Sequence, residues 1–415
     1  DAAAGETRHA FPFFLPDGRR FLYVAFSEKP GGAASTLYVG TVGSSDRVRV
    51  MPTESNVQYM GDHLLVLRDG TLLAQPFDLE RLSLVGDPFP LGDQIAQGTA
   101  AGGAFTVSPT GLLAYQSGAS GGRSRLVWFD RNGRQTGVLG EEANQQFVSL
   151  SPDGRRAAIS IVDPARRTSD IWIYEVASGR RTRFTFDPAT ESLAAWSRDG
   201  ARIVFDSDRK GRLDLYENVS SGTGSDQPLL QEGDFAKYPD SFSPDGRFLL
   251  FASSTTTPKT GADLWLLPLA GDRKPFPFLQ TPFDEFLGLF SPDGRWVAYM
   301  SNESGRYETY VTTFPDRRGK WLISTNGGRY PRWRGDGREI FYLEADGRII
   351  AAEVSAEGTD IRVGAVRPLF DTRLSGAWPY DVTPDGQRFL LNMQVEEAAS
   401  QSITLVINAT ASRIQ

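Results

Sequence analysis

Short apolar runs recur along the whole chain and are separated by clusters of turn-forming residues. One example is LGLF before Ser291, followed after the turn by RWVAYM from Arg295. Runs of this length that are rich in aromatic and β-branched residues are typical of β-strands. No segment of useful length repeats its apolar positions with the 3.6-residue period of an amphipathic helix. The pattern therefore predicts an all-β protein.

The turns between these runs share one short motif. SPDG stands at 151–154, 243–246 and 291–294, and variants stand at 15–18, 108–111, 197–200, 334–337 and 383–386. Proline favours the second position of a type I turn, serine and aspartate can bond the turn backbone, and glycine accepts the positive φ that closes the hairpin. Each copy predicts a hairpin between two antiparallel strands, and the turn aspartates are Asp17, Asp153, Asp199, Asp245, Asp293, Asp336 and Asp385.

These turns recur with a steady spacing, which predicts the architecture. With Asp62 and Thr110 counted as degenerate copies, nine markers lie 43 to 49 residues apart. A repeat of this length that holds four antiparallel strands is typical of a propeller blade. We therefore predict a single β-propeller over residues 1–415, with nine four-stranded blades, or eight if one copy is irregular. The predicted blades are 10–52, 53–97, 98–142, 143–186, 187–232, 233–280, 281–325, 326–374 and 375–415, and residues 4–9 are expected to complete the last one.

An aromatic residue directly precedes several of the turns. A ring at this position is typical of packing between adjacent blades, where its burial stabilises the fold by about 2 kcal/mol. We predict that role for Phe14, Trp196, Phe242, Phe290 and Trp333.

Composition excludes several classes of function. The chain has no cysteine, which excludes disulfides, thiol catalysis and zinc–thiolate sites. Its two histidines, His9 and His63, are too few for a histidine-rich metal site, and no calcium-loop motif occurs, so we predict no metal and no cofactor. The net charge is −7 and the basic residues do not cluster, which argues against nucleic-acid binding. No apolar run approaches the roughly 18 residues of a membrane helix. The chain begins without methionine or a signal peptide, so we expect a domain of a longer protein.

The catalytic motifs in the sequence are weak. GASGG at 118–122 fits the G-x-S-x-G nucleophile elbow, but both histidines precede Ser120, whereas the elbow requires a downstream histidine. We interpret it as a hairpin loop. Adjacent carboxylates at 141–142 and 284–285 point to opposite faces of a strand and do not form dyads by spacing alone. We predict no catalytic residue.

Several longer stretches resemble known propellers. They are YMGDHLLVLRDGTLLAQPFD (59–78), LVWFDRNGR (126–134), SDIWIYEVASGRRTRFTF (169–186), DLWLLPLAGDRKPFPFLQTPFDE (263–285), SPDGRWVAYMSNESGRYETYV (291–311) and YDVTPDGQRFLLN (380–392). The repeat resembles the TolB-like, WD-repeat-like propellers, although the GH and WD dipeptides of true WD repeats are absent. The chain as a whole resembles the propeller region of acidobacterial membrane-anchored serine/threonine protein kinases.

This resemblance implies a sensing or binding module on the periplasmic side of the inner membrane. In such kinases the module follows a cytoplasmic kinase domain and one membrane helix. The present chain contains no Gly-rich nucleotide loop, no VAIK and no HRD motif, so it carries no kinase activity of its own.

A binding site in a propeller is expected where loops converge on the mouth of the central channel. The residues predicted to lie there are Gln146, Glu191, Lys237, Tyr238, Glu285, Arg329, Tyr330, Arg332 and Trp378, with Gln145 and Tyr380 beside them. Tyr, Trp and Arg are common anchors at binding surfaces. Arg329 and Arg332 are predicted to hold a carboxylate or phosphate together. The alternative is that these side chains plug the channel or pair with Glu191 and Glu285.

Three functions remain open from the sequence. The first is a non-enzymatic sensor that binds a small ligand, a peptide or an envelope protein, is monomeric, and passes its state to a kinase domain in the same full-length protein. The second is a protein-interaction scaffold of the TolB type without a small ligand. The third is the gating propeller of a prolyl-oligopeptidase-like peptidase, which requires an α/β-hydrolase domain that the 30 residues after Asp385 cannot hold.

Overall fold

The strands fill most of the chain in the computed structural model. It describes residues 6–27, 35–53, 55–68, 70–93, 95–96, 102–108, 110–117, 123–163, 166, 168–233, 235–254, 261–372, 374, 379–395 and 403–407. The GASGG loop and Trp378 lie outside the described residues. Within the described ranges every regular element is a β-strand. The predicted all-β class is therefore confirmed.

The first eleven strands are β1 (Glu6–Phe14), β2 (Arg20–Ser27), β3 (Ser35–Thr41), β4 (Arg47–Pro52), β5 (Gln58–Met60), β6 (His63–Arg68), β7 (Thr71–Asp78), β8 (Ser83–Leu84), β9 (Phe89–Gly92), β10 (Phe105–Val107) and β11 (Leu112–Gln116). The next fourteen are β12 (Ser124–Asp130), β13 (Gln135–Ala143), β14 (Gln145–Leu150), β15 (Arg156–Asp163), β16 (Thr168–Glu175), β17 (Arg181–Arg183), β18 (Glu191–Trp196), β19 (Arg202–Ser207), β20 (Asp214–Val219), β21 (Gln227–Leu230), β22 (Ala236–Phe242), β23 (Phe248–Ser254), β24 (Ala262–Pro268) and β25 (Phe276–Leu279). The last eleven are β26 (Glu285–Phe290), β27 (Trp296–Ser301), β28 (Glu308–Thr313), β29 (Lys320–Leu322), β30 (Arg329–Trp333), β31 (Glu339–Leu343), β32 (Arg348–Glu357), β33 (Asp360–Asp371), β34 (Tyr380–Val382), β35 (Arg388–Gln394) and β36 (Ile403–Ile407).

The chain forms two compact units. The first contains residues 1–122 and 396–415, and the second contains residues 123–395. The first unit has three sheets, with the strand orders β1-β2-β3-β4, β5-β6-β7 with β8 and β9 both on β7, and β10-β11-β36. The second unit has six four-stranded antiparallel sheets, β13-β12-β35-β34, β14-β15-β16-β17, β18-β19-β20-β21, β22-β23-β24-β25, β26-β27-β28-β29 and β30-β31-β32-β33.

The six sheets of the second unit close into a ring. The innermost strands β14, β18, β22, β26, β30 and β34 contact one another in that order, and β34 contacts β14. The sixth sheet joins strands from both ends of the unit, because β12 pairs with β35 from Ser124↔Gln394 to Asp130↔Arg388. Apolar side chains fill the spaces between neighbouring sheets, including the fully buried rings of Phe205, Phe251 and Phe389. Burial of such side chains contributes about 1.5–3 kcal/mol each.

This closure corrects the predicted single ring. Residues 6–14 form β1, which pairs with β2 and does not complete the last blade. The predicted blades 98–142 and 375–415 are also wrong, because they exchange partners: β12 and β13 join β34 and β35, whereas β10 and β11 pair with β36. Because all repeats share one strand pattern, β12 has a suitable pattern to pair either within its own repeat or with β35. The ring therefore has six blades, neither nine nor eight.

The SPDG turns carry a repeated hydrogen-bond network. Ser291 Oγ donates to Asp293 Oδ1 at 2.6 Å, Arg295 N donates to the same oxygen at 3.1 Å, and Trp296 N donates to Ser291 Oγ at 3.0 Å. The same three bonds occur in the turns at 151–156, 197–202, 243–248 and 383–388. In these five turns the glycine has φ between 67° and 72°, a region that favours glycine.

The turns of neighbouring blades also interlock. A Cβ added to Gly294 would lie 3.4 Å from Pro244 Cδ of the preceding turn, and one added to Gly154 would lie 3.5 Å from Pro384 Cδ. The proline of one turn thus packs against the glycine of the next. Together the turns form a collar around one end of the central channel.

Candidate functional site

Most of the described residues that were predicted to form a channel mouth lie where the innermost strands begin, at the end of the ring opposite the turn collar. Glu191, Lys237 and Glu285 are at the starts of β18, β22 and β26 and are at most 1 % exposed. A β-bulge follows each of these positions within the strand. A bulge changes the face on which the following side chains lie. Because these three side chains are buried, they are not accessible to a ligand in the channel.

The two buried glutamates have raised pKa values. Glu191 Oε1 accepts from Ser207 Oγ at 2.8 Å and from Arg209 Nη2 at 3.2 Å. Glu285 Oε1 accepts from Thr281 Oγ1 at 2.6 Å. In each residue Oε2 is buried without a hydrogen-bond partner. Burial raises the pKa of both carboxyls to about 7, and these hydrogen bonds only partly offset it.

Lys237 ties two blades together. Its Nζ donates to Asp214 Oδ1 of β20 at 2.7 Å and to Phe235 O at 3.0 Å. The lysine side chain is 0 % exposed and the aspartate side chain is 4 % exposed. This ion pair belongs to the interior of the ring.

The arginine pair predicted to hold an anion is not formed. Arg329 is exposed and lies 5.5 Å from the Tyr307 ring centroid, whereas Arg332 is buried further along β30 beside Asp381. Tyr330 and Tyr238 are half-buried, the latter in an apolar cluster between blades, and Gln146 is half-buried in β14. Among the predicted mouth residues that the structure describes, Arg332 alone lines the channel cavity described next.

A cavity of about 260 Å³ occupies the channel at the collar end of the ring. All six innermost strands contribute to its wall, through Ser149, Ala195, Ser241, Leu289, Arg332 and Asp381. The collar prolines and Arg198, which is exposed, form its rim. Residues from every blade of the ring thus line the same space.

Arg332 and Asp381 form an ion pair in the cavity wall. Arg332 Nε donates to Asp381 Oδ1 at 2.9 Å, and its two Nη atoms donate to Pro331 O at 2.8 Å and Tyr380 O at 3.3 Å. The second Asp381 oxygen accepts from Leu150 N at 2.7 Å across the junction that closes the ring. A guanidinium has five N–H donors, so two N–H groups of Arg332 remain for a ligand.

Asp240 lines the same cavity, and one of its carboxylate oxygens has no hydrogen-bond partner. Its Oδ2 accepts from Gly288 N at 3.1 Å, whereas Oδ1 is buried without a hydrogen-bond partner. Burial raises the pKa of this carboxyl well above its usual range, although Gly288 and Arg332 both act to lower it. Burial thus favours the neutral form of Asp240, whose hydroxyl is a hydrogen-bond donor. Sequence reasoning missed Asp240 and Asp381, and the signal was a carboxylate inside each of two innermost strands.

The described residues contain no group of three or more His, Asp or Glu side chains placed to hold a metal ion. They also contain no helix with the length and apolarity that crossing a membrane requires. Asp284 accepts from Asn302 Nδ2 at 2.7 Å and from Tyr307 OH at 3.0 Å, so it is engaged separately from Glu285.

Comparison with solved structures identifies the fold. A structure assigned to TolB of Agrobacterium tumefaciens superposes with a TM-score of 0.54 and 17 % sequence identity, covering 66 % of this chain and 99 % of that one. The covered share is about that of residues 123–395. The chain contains a TolB-like β-propeller. This likeness concerns the fold of the propeller and leaves its ligand open.

Sequence relatives are more distant. An uncharacterized protein of Agrobacterium fabrum is 26 % identical over 254 residues, which cover 58 % of this chain and 81 % of the relative. The Tol-Pal system protein TolB of Francisella tularensis is 23 % identical over 197 residues, 48 % of this chain and 44 % of that protein. An uncharacterized peptidase of Bacillus subtilis is 34 % identical over 109 residues, 25 % of this chain and 16 % of the peptidase. No family model matches the chain.

Proposed function

We propose that the chain is a non-enzymatic binding module whose propeller holds a carboxylate of its ligand in the cavity at the collar end. The observation that carries this proposal is the convergence of all six blades on one cavity that is lined by Arg332 and Asp240. A peptide or protein partner that presents an acidic side chain or a C-terminus has the required chemistry.

The charges around the cavity favour an anion. Arg198 and Arg332 are positive and Asp381 is negative, while burial disfavours a negative charge on Asp240. Burial of Asp240 therefore shifts the balance of charge in the cavity toward positive. It also offers the Asp240 hydroxyl and two guanidinium N–H groups as donors, which match the acceptor oxygens of a carboxylate.

In its wider setting, we propose that this module is the extracytoplasmic region of a membrane-anchored serine/threonine kinase and reports ligand binding to the kinase domain. The support is the sequence resemblance over nearly the whole chain. The propeller's likeness to TolB agrees with a protein-interaction role without requiring a kinase.

A second candidate is the propeller of a peptidase. The 34 % identity to a Bacillus subtilis peptidase favours it, over a segment that is 16 % of that enzyme. The full-length protein separates the two candidates: autophosphorylation with ATP supports the kinase, and hydrolysis of a fluorogenic peptide supports the peptidase.

The cavity is tested by matched ligand pairs in a thermal-shift assay. The pairs are glutarate with glutaramide, and N-acetyl-dialanine with its C-terminal amide. A carboxylate that binds the folded state raises the free energy of unfolding by about 2.7 kcal/mol at a hundredfold excess over Kd, whereas the matched amide has no such effect. Arg198→Ala weakens binding, and Arg329→Ala at the other end of the ring leaves it unchanged.

The pH dependence gives a second readout. Ionisation of Asp240 at high pH places a negative charge beside the bound carboxylate, so binding weakens as pH rises. Asp240→Asn keeps a donor at this position and removes that loss. The proposed site would be overturned if acid and amide raise the melting temperature equally. It would also be overturned if neither acid raises the melting temperature at 50 times the concentration used in the first screen.

A further inference from the structure

The first sheet of the first unit has an aromatic outer face. On β2, Leu22 and Val24 point into the apolar core of this unit, so Phe21 and Tyr23 lie on the opposite face. Tyr38 is directly opposite Tyr23 on β3, and Phe14 is opposite Phe21 on β1. The pairing of the strands therefore places four aromatic rings side by side on one surface.

The rings form a continuous row. The centroid separations are 6.0 Å for Phe14–Phe21, 5.7 Å for Phe21–Tyr23 and 5.7 Å for Tyr23–Tyr38. His9 adds a fifth ring, 5.1 Å from Tyr23. Phe14 is 58 % exposed, which corrects its predicted role in packing between blades. Phe21, Tyr23 and Tyr38 are half-buried and His9 is exposed, so the described residues leave the row partly accessible, as a binding surface requires.

A cavity of about 300 Å³ lies over this row. Phe21 and Tyr23 form its floor, and the loop Ser44–Asp46 forms a polar wall. Gly40 is part of the floor, where an added Cβ would lie 2.9 Å from the Phe21 ring, so the ring rests directly on the backbone. Hydroxyl and carboxylate groups therefore stand beside a broad ring surface.

The basic groups at this site are paired with a buried carboxylate. Arg47 Nη1 donates to Glu6 Oε2 at 2.7 Å, and His9 Nε2 lies 2.9 Å from the same oxygen. Burial acts to raise the pKa of Glu6, but hydrogen bonds from Arg47 and His9 outweigh it and bring the pKa to about 2. Arg47 also stacks on Tyr38 at 4.3 Å. Arg47 is thus paired with Glu6, and Asp46 adds a negative charge. The site therefore has no excess positive charge that would attract an anion.

We propose that this face is a carbohydrate-binding site, separate from the propeller cavity. One face of a pyranose ring presents C–H groups, which pack on the electron-rich faces of aromatic rings. The sugar's hydroxyl groups can then bond to Ser44, Ser45 and Asp46. The charge balance suits a neutral sugar, and the row of rings suits several linked residues. The rings form a floor rather than the enclosing cage that recognises quaternary ammonium groups.

Saturation-transfer NMR on the complete chain tests this site with two probes, cellotriose and triacetylchitotriose. We expect at least one to bind with a Kd near 1 mM, with saturation concentrated on ring C–H protons. Tyr23→Leu keeps apolar bulk but removes the ring face, and should raise Kd at least tenfold. Phe14→Ser is a second variant at an exposed position, in case Tyr23→Leu fails to fold. Phe186→Ser removes another exposed ring, 65 % exposed, in the second unit and should leave Kd unchanged.

The outcomes separate this site from the propeller cavity. Arg198→Ala and Asp240→Asn should leave sugar binding unchanged, so failure of the carboxylate site does not affect this test. The carbohydrate site is overturned if neither sugar binds at ten times the expected Kd, or if Phe14→Ser and Tyr23→Leu both bind like Phe186→Ser. A dimer in sedimentation that Phe14→Ser dissociates would instead assign the face to a second copy of the chain.

Discussion

The buried Lys237–Asp214 pair gives the sharpest test of how the blades are held together. Asp214→Leu removes the carboxylate that lies 2.7 Å from Lys237 Nζ and leaves the ammonium buried. Breaking such a pair from one side costs about 3–5 kcal/mol, because the remaining charge stays desolvated. Lys237→Met should cost less, since Arg212 Nε lies 3.8 Å from the same Asp214 oxygen and can replace the lysine.

This cost translates into a measurable melting shift. At about 2.1 cal/mol/K per residue, a ring of residues 123–395 has an unfolding entropy of about 0.6 kcal/mol/K, so 3–5 kcal/mol lowers Tm by about 5–9 °C. Differential scanning calorimetry and urea unfolding of the full chain measure both quantities.

The double variant Asp214→Leu with Lys237→Met provides the control. Replacing a buried ion pair by apolar side chains is often neutral or stabilising, so the double variant should recover most of the stability that Asp214→Leu loses. The reasoning fails if the two single effects simply add, or if Asp214→Leu lowers Tm by less than Lys237→Met.

Three further predictions concern single residues of the ring. Burial raises the pKa of Glu285 to about 7, so the folded state binds its proton more tightly than the unfolded state. The free energy of unfolding should therefore fall as pH rises from about 5 to 8. In urea unfolding, Glu285→Gln should remove about 3 kcal/mol of that loss. Ser243→Ala should cost about 1 kcal/mol, and NMR titration should find the pKa of Asp245 above its present value of about 2, since the Ser243 hydrogen bond is the largest cause of that low value. Gly294→Ala should cost about 1–3 kcal/mol in the same unfolding assay, because the residue has φ 72° and a Cβ would press on Pro244; an unchanged stability would contradict the interlocked collar.

Local features were accessible from sequence because their interactions are local. The bonds of an SPDG turn join residues at most five positions apart, as between Ser291 and Trp296. Four consecutive letters therefore contain nearly all the information that builds the turn. The strands beside it follow from the apolar runs in the same way.

Closure and the candidate site depend on distant residues. The repeat spacing is the same whether β12 pairs within its own repeat or with β35. The spacing therefore could not reveal that the ring closes after six blades and not after nine. The bulges in β18, β22 and β26 decide which side chains face the channel, and no letter in the strands marks them clearly. For this reason Glu191 and Glu285 were predicted at a mouth but lie buried, whereas Asp240 was missed.

The strand exchange at the ring junction makes the propeller an insertion in the first unit. The chain leaves that unit after residue 122 and returns at 396, while Val395 N donates to Arg123 O at 3.0 Å. The two ends of the ring are thus neighbours, as in a domain that can be cut out and expressed alone. A gene encoding residues 123–395 should yield a complete propeller. A second gene, in which a short linker joins residue 122 to residue 396, should yield the first unit with every strand still paired. Evolution could exchange such a ring without redesigning the sheets that carry it.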